Sequence, residues 1–495
     1  MIKNFFCNRS NYILNSIVLD KYQTKAIIDN SSCYLVIAGA GSGKSLTIVA
    51  KVNYLIEKMN ISPKKILCIS FTNETVDSLK SSLEKNNILV DVKTFHRLSL
   101  DIISNRYKIA SQSLLEYVIS EYFFSYIYFD DTYKLLDFYI ENNNVDKEGF
   151  IKYFSKIILS FIHSFKSYNY DINYFLNIIF SSSRDDKILL IIIFKIYVLY
   201  EEELASQSLI DFDDMINLAI KRVDCLKYFR YEYVIIDEFQ DTSNSKYELI
   251  KKLYDKYNLK LMAVGDDFQS IYSFTGCNLD IFLNFKKNFS NSKIIKLKNN
   301  YRNPKDIVDI SRRFILKNRR QMKKVLKSNR YINNSLYVVY YHNIVSTLAS
   351  IVDNIDNVLI LGRNNFDINL LLDDKVFIRD DDNNIIYLKN KNKHIRYLTV
   401  HSSKGLESDN VIVLNLVDSY LGFPNQIKEC ELFKYIDSSN KKDKFLYAEE
   451  RRLFYVALTR SKNKTYLFTN KNNPSVFIKE LLHDYKLKIK ILDFE

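Results

Sequence analysis

The chain has 495 residues, a formal charge of +13, nine glycines, four prolines and no tryptophan. Charged residues make up 26% and apolar ones 47%, which excludes a disordered, collagen-like or small disulfide-framework protein. A chain of this length is expected to form about three or four domains. The basic excess is concentrated in residues 312–330, where nine basic and no acidic side chains suit either contact with nucleic acid or a solvated helix face.

The opening residues MIKNFFCNRSNY lack the apolar core of a signal peptide. Cys7, Cys33, Cys68, Cys225, Cys277 and Cys430 form no C-x-x-C pair and do not cluster with histidine. That pattern points to a reducing cytoplasm and away from zinc or iron–sulfur ligation. CYLVI (33–37) reads as a buried strand, AGAGSGKS (38–45) as a glycine loop, and LTIVAKVNYLIEKM as a helix. Strand, loop and helix in that order make a P-loop. Ala38, Gly39, Ala40, Gly41, Ser42 and Gly43 are expected to wrap phosphate oxygens with backbone N–H groups. Lys44 would reach the β and γ phosphates, and Ser45 would ligate Mg²⁺. The strict pattern has glycine where this chain has Ala38.

The most apolar run, ILLIIIFKIYVLY (188–200), is broken by Lys195 and too short to cross a bilayer, so it reads as a buried helix and no membrane partner is expected. YVII (233–236) is a second buried strand, and DEFQD follows it. There Asp237 fits a carboxylate that holds Mg²⁺ through water, and Glu238 a base that activates the attacking water.

Further segments follow in a fixed order: LDKYQ (19–23), SFTN (70–73), TFH (94–96), DFDD (211–214), DEFQDTS (237–243), VGDDFQSIYSFTG (264–276), NYR (300–302), LGRNN (361–365), TVHSSKGLE (399–407), GFPN (422–425) and EERRLFYVALTRSK (449–462). Together with the P-loop, this series resembles the superfamily 1 helicases of the UvrD/Rep type, over nearly the whole chain. The resemblance implies ATP and Mg²⁺ as cofactors. It implies Gln23 and Tyr301 at adenine, Glu407 near the ribose, Gln269 as γ-phosphate sensor, and Arg302 and Arg460 as arginine fingers. Lys44, Asp237 and Glu238 complete the catalytic set. It also implies single-stranded DNA along Phe71, Thr72, Asn73, Thr94, His96, Tyr272, Phe274, Arg363, Thr399 and His401. Leu46, Glu74, Phe274, Thr275 and Ser408 depart from residues common in the family, mostly on the DNA side.

The expected fold is α/β, with two RecA-like parallel-sheet lobes and a helical insertion in the first. Residues 1–96 and 206–285 form the first lobe, 97–205 the insertion and 286–495 the second lobe. Between LGRNN and TVHSSKGLE relatives insert a whole subdomain. Here only 33 residues, 366–398, intervene, and they read as a β-hairpin turning at 380–384. After residue 462 the tail reads as one strand and a short helix.

The function implied is a DNA-dependent ATP hydrolase and helicase, moving 3′ to 5′ on single-stranded DNA or tailed duplex in repair, replication or recombination. The short hairpin leaves a second reading open, an ATPase subunit serving a separate nuclease, repair or phage-defence partner. Eight of the nine glycines lie in or beside these motifs, and Gly149 alone has no motif to explain it.

Overall fold

The computed structural model describes residues 12–104, 107–125, 132–143, 146–373, 375–380, 384–427, 430–436, 443 and 445–494. Most of the opening segment, with Cys7, and the tip of the expected hairpin, 381–383, lie outside them.

The first sheet has six strands: β1 (Cys33–Ala38), β2 (Ile66–Ser70), β3 (Asp91–Thr94), β4 (Tyr233–Ile236), β5 (Lys260–Gly265) and β6 (Lys293–Leu297). All run parallel, in the order β6-β1-β5-β4-β2-β3. The buried runs of β1, β2 and β4 reflect burial on both faces. In β1, Cys33, Leu35 and Ile37 join the core on one face, and Tyr34, Val36 and Ala38 the core on the other. One face is covered by α1 (Lys21–Ile28), α2 (Lys44–Glu57) and α3 (Asn73–Glu84). The other carries α4 (Phe95–Ile103), and later in the chain α10 (Phe212–Cys225) and α11 (Asn244–Tyr257).

Two expected boundaries move. The division at 285/286 assigns Lys293–Leu297 to the second lobe, but this strand pairs parallel with β1 from Tyr34 to Ala38. The division at 96/97 cuts α4, whose Leu98, Ile102 and Ile103 are buried in the first lobe's core. The neck of the insertion is the parallel pair Lys108–Ile109 with Leu209–Ile210.

Beyond that neck lie α5 (Leu114–Phe124), α6 (Thr132–Asn143), α7 (Lys147–Ser167), α8 (Ile172–Ser181) and α9 (Arg184–Ser206), with a core of their own. The apolar run 188–200 lies inside α9 and is buried there, as its composition predicts. No helix among the described residues is long and apolar enough to cross a membrane. Gly149 sits at the third position of α7. Its N–H donates to the capping Asp146 Oδ2 at 2.6 Å, and a Cβ would sit 2.6 Å from that same oxygen.

DFDD fastens the insertion to the lobe. Asp211 caps α10 in a reciprocal box with Asp214. Both carboxylates hold the buried Lys166 of α7, at 2.6 and 2.9 Å, and Glu201 of α9 completes the cluster at 2.7 Å.

The second sheet has eight strands: β7 (Leu336–Tyr341), β8 (Val358–Gly362), β9 (Phe377–Arg379), β10 (Asn384–Tyr387), β11 (Ile395–Thr399), β12 (Ser408–Val413), β13 (Ser461–Thr469) and β14 (Lys490–Phe494). Their order is β9-β10-β11-β8-β12-β13-β7-β14. The expected hairpin is β9–β10. It pairs Phe377 with Tyr387, stacks their rings 4.9 Å apart, and continues antiparallel onto β11 as the edge of the sheet. Strand β14 was not expected, since the tail reads as ending in a helix. It adds parallel to β7. Two further helices matter for the site, α12 (Lys305–Ile315) and α13 (Ala448–Leu458).

Candidate functional site: a cleft between two sheets

The phosphate loop leaves the C-terminal end of β1 and enters α2. Gly41 and Gly43 take φ of 69° and 78°. A Cβ at Gly41 would lie 2.7 Å from Arg302 Cβ, and one at Gly43 would lie 2.7 Å from Gln23 Nε2, so the loop is pressed between its neighbours and needs glycine. Lys44 Nζ meets Glu238 Oε1 at 2.6 Å, and Gln240 Nε2 donates to the other oxygen at 2.6 Å. Glu238 adopts φ 51°, and its N–H donates to Asp237 Oδ1 at 2.9 Å. Burial raises the Glu238 carboxyl, but Lys44 and Lys404 outweigh it and hold it at about 2. Burial, then the Glu238 charge, pushes Asp237 up to about 6. Ser45, second residue of α2, is exposed.

The segment after β6 docks on this loop from the other side. Asn300 Nδ2 donates to Ala40 O at 2.7 Å, and Tyr301 N–H to Gly41 O at 2.8 Å. Tyr301 is 52% exposed, with its hydroxyl on Asp20 Oδ2 at 2.6 Å. Asp20 also caps α1, and Gln23 Oε1 accepts from its N–H at 3.0 Å. Gln23 Nε2 and Ser42 Oγ are buried without a protein partner. A free amide donor beside a glycine-turned loop fits a purine base and its phosphates.

Arg302 donates to Glu407 Oε2 at 2.6 Å, and Lys462 holds the other oxygen at 3.0 Å. Arg460 is fully buried at the α13–β13 junction. Its guanidinium donates to Val456 O, Leu406 O and Gln269 Oε1 at 3.1, 3.2 and 3.1 Å. Burial, then Arg302, lowers its pKa to about 9. Arg460 therefore meets Gln269 and Arg302 the phosphate loop across the cleft, with Glu407 paired to Arg302 beside them.

The residues expected on DNA fall into two groups. Tyr272, Phe274 and His401 make an aromatic shelf. Phe274 is 61% exposed, its ring 6.0 Å from Tyr272 and 5.7 Å from His401. The Tyr272 hydroxyl donates to His401 O at 3.1 Å. Arg363 is held by Glu450 at 2.8 Å, and Thr399 Oγ1 lies 3.0 Å from Ser402 Oγ. The second group lies at the ends of β2 and β3. Phe71 packs on Phe95 at 5.3 Å with the Lys246 ammonium 5.0 Å from its ring. Thr72 and Thr94 spend their hydroxyls capping α3 and α4, Asn73 begins α3, and His96 packs on Phe212 at 5.3 Å. Burial lowers both His96 and His401 to about 4.

Sequence reasoning passed over Lys404. Its ammonium bonds Asp241, donates to Gln269 O at 2.8 Å and lies 4.8 Å from the Tyr272 ring. One side chain thus touches the DEFQD segment, the sensor loop and the aromatic shelf. Its signal was the lysine inside TVHSSKGLE, left without a role. The basic stretch 312–330 is not one solvated helix face either. It leaves α12 at Ile315, and Lys317, Arg320 and Lys324 are consumed by ion pairs with Glu480, Asp280 and Asp267 at 2.9, 2.7 and 2.6 Å. Arg313, Arg319, Lys323 and Lys327 stay exposed.

Comparison with known proteins agrees with this geometry. The UvrD/REP helicase N-terminal domain matches residues 19–290, more than half of the chain, and the UvrD-like helicase C-terminal domain matches residues 378–472. The chain is 34% identical over 325 residues to a probable DNA helicase II homolog of Mycoplasma capricolum, covering 63% of this chain and 43% of that protein. It is 25% identical over 509 residues to DNA helicase IV of Escherichia coli, covering 94% and 70%. It is 28% identical over 330 residues to the ATP-dependent DNA helicase PcrA of Bacillus subtilis, covering 64% and 42%. The chain spans about half the length of most curated relatives it matches.

Proposed function

The chain belongs to the UvrD/Rep helicase family, and on that premise we propose that it is an ATP-dependent motor on single-stranded DNA, stepping 3′ to 5′. The observation that carries the reading is Arg460 of the second sheet donating to Gln269 of the first, beside the phosphate loop. Charge developing in phosphoryl transfer is then met by side chains of both lobes, so hydrolysis is tied to their relative position.

In this reading Gln23 and Tyr301 hold the base, residues 38–45 the phosphates, and Glu407 lies toward the ribose. Lys44 exchanges Glu238 for phosphate oxygen, which frees Glu238 to take the proton of the attacking water. Ser45 and Asp237 would hold Mg²⁺, which neutralises phosphate charge when bound. Bases stack on Tyr272, Phe274 and His401, with Phe71, Thr72, Asn73, Thr94, His96, Arg363 and Thr399 lining the path. Lys404 carries shelf movement to the sensor loop. The working units are the two sheets with their helices, and the insertion beyond the neck at 108–109 and 209–210. A cytoplasmic setting suits the scattered cysteines.

ATP hydrolysis with and without single-stranded DNA tests the motor. Wild type should be stimulated by DNA, and Glu238→Gln should lose about 10²–10⁴-fold in turnover while retaining ATP binding. A wild type indifferent to DNA would sink the reading. The hairpin β9–β10, which merely extends the sheet, favours a second possibility: translocation in the service of a nuclease, repair or phage-defence partner, without unwinding alone. Strand displacement on 3′-tailed and 5′-tailed duplexes separates the two and checks the polarity.

A further inference from the structure

Residues 316–326 run without regular structure between α12 and the strand pair formed by Asn299–Asn300 with Lys327–Ser328. This strap lies against the first lobe. Leu326 sits over the phosphate loop, where a Cβ on Gly39 would fall 2.7 Å from its Cδ1. Met322 N–H donates to Asp267 Oδ2 at 2.7 Å. Between them the Lys324 side chain, 1% exposed, bonds Asp266 and, at 2.6 Å, Asp267, both of whose side chains are fully buried. Its ammonium also lies 3.4 Å from the centre of the Phe268 ring.

Asp266 is the start of a chain of contacts. Its Oδ2 accepts from Gln269 Nε2 at 2.6 Å, and Gln269 Oε1 accepts from Arg460 Nη2 at 3.1 Å. We propose that Lys324 is a positioning residue for ATP hydrolysis: by holding Asp266 as a pure acceptor it fixes which end of the Gln269 amide faces Arg460.

The polarity of the relay is forced. An ionised carboxylate only accepts hydrogen bonds and a guanidinium only donates them. The amide between them must turn its nitrogen to Asp266 and its oxygen to Arg460. The reverse setting would place oxygen against carboxylate and NH₂ against guanidinium. Without the ammonium, Asp266 and Asp267 would be adjacent buried carboxylates stripped of their direct ion pair. One of them would take a proton, and an Asp266 able to donate would no longer back the setting that Arg460 demands, so the amide would be held firmly from one side only. Arg460 would then lose the anchor that reaches across the cleft to the first lobe. Misplacing a catalytic group by about 1 Å costs on the order of 10²-fold in rate.

The inference rests on the motor reading and is tested beside it. Steady-state ATP hydrolysis at saturating single-stranded DNA is measured for wild type, Lys324→Met and Asp266→Asn, together with the melting temperature of each. Lys324→Met removes the charge at similar length. Asp266→Asn leaves Lys324 paired with Asp267, so the buried ammonium keeps a carboxylate partner and the variant carries the test if Lys324→Met fails to fold. In both variants kcat should fall about 10- to 100-fold while KM for ATP stays within about threefold of wild type. Asp266→Asn should melt close to wild type, which a purely structural role could not combine with lost turnover. A folded variant of either kind with kcat within about twofold of wild type overturns the proposal, as does a raised KM with kcat intact. A wild type without DNA-stimulated hydrolysis overturns the motor reading and this inference together, whereas an active wild type beside indifferent variants overturns the inference alone.

Discussion

Glu238 stands in a left-handed backbone conformation, φ 51°, which costs a non-glycine residue about 1–2 kcal/mol. Two hydrogen bonds keep it there, from its own N–H to Asp237 and from Asp241 N–H to its carbonyl, both 2.9 Å. The result is a pair of adjacent acids pushed apart, Glu238 down to about 2 and Asp237 up to about 6. The sign for Asp237 follows from linkage. A carboxyl raised from 3.8 to about 6 in the folded chain contributes stability below 3.8 that is lost as pH rises through about 6. Asp237→Asn should therefore raise the melting temperature at pH 7.5 and leave it nearly unchanged at pH 4, in thermal melts without nucleotide. An equal shift at both pH values would sink this account. At this scale the sequence was legible where chemistry is contiguous, as in 38–45 and 237–238. Lys404 escaped because its partners Asp241 and Gln269 lie far back in the chain, and a lysine says nothing by itself about which carboxylate it will meet.

At the scale of elements, the two misplaced boundaries have one cause. RLSLDII after His96 is an equally good amphipathic helix for the lobe or for the insertion, and only burial of Leu98, Ile102 and Ile103 against α10 assigns it to the lobe. KIIKL of β6 is likewise a short strand that could open either sheet. The hairpin was legible because the Asp- and Asn-rich stretch 380–384 separates two short apolar runs, and α9 because twelve apolar residues out of thirteen dictate burial. The join between α7, α9 and α10 was not legible, since Lys166 reads as an ordinary basic residue. Its ammonium is 4% exposed and balances Asp211 and Asp214, whose carboxyl burial pushes up to about 7. Lys166→Met would leave those acids buried beside Glu201 with no counter-charge. We expect a loss of about 3–5 kcal/mol in urea unfolding. A loss under about 1 kcal/mol would mean that solvent reaches the cluster and that it behaves as a surface pair.

For the whole molecule, the cleft beside the phosphate loop is not the one place where the second lobe meets the rest of the described chain. After Asn425, whose N–H is held by Glu450 at 3.0 Å, the chain leaves the second lobe, and residues 430–436 dock on the helical insertion. Leu432 and Ile436 are buried in the insertion's core, and the Tyr435 hydroxyl and Lys434 ammonium both bond Asp186, at 2.8 and 2.9 Å. Tyr170 donates to Ile436 O at 3.3 Å. By residue 443 the chain is back, with Asp443 on Asn318 at 2.6 Å. A motor whose lobes shift in each cycle must either carry the insertion along with the second lobe or release this clasp. Leu432 and Ile436 are the two fully buried side chains of the clasp, so it is expected to open at a lower free energy than the insertion's helices. Leu432→Asp should release it: amide exchange across 430–436 and the start of α9 should accelerate, with the melting temperature falling far less than in Lys166→Met. DNA-independent ATP hydrolysis should be unchanged, because none of the residues that meet in the cleft touches the clasp. If Leu432→Asp instead lowers the melting temperature as much as Lys166→Met does, the segment is a fixed part of the insertion's core, and the lobes move with the insertion as one body.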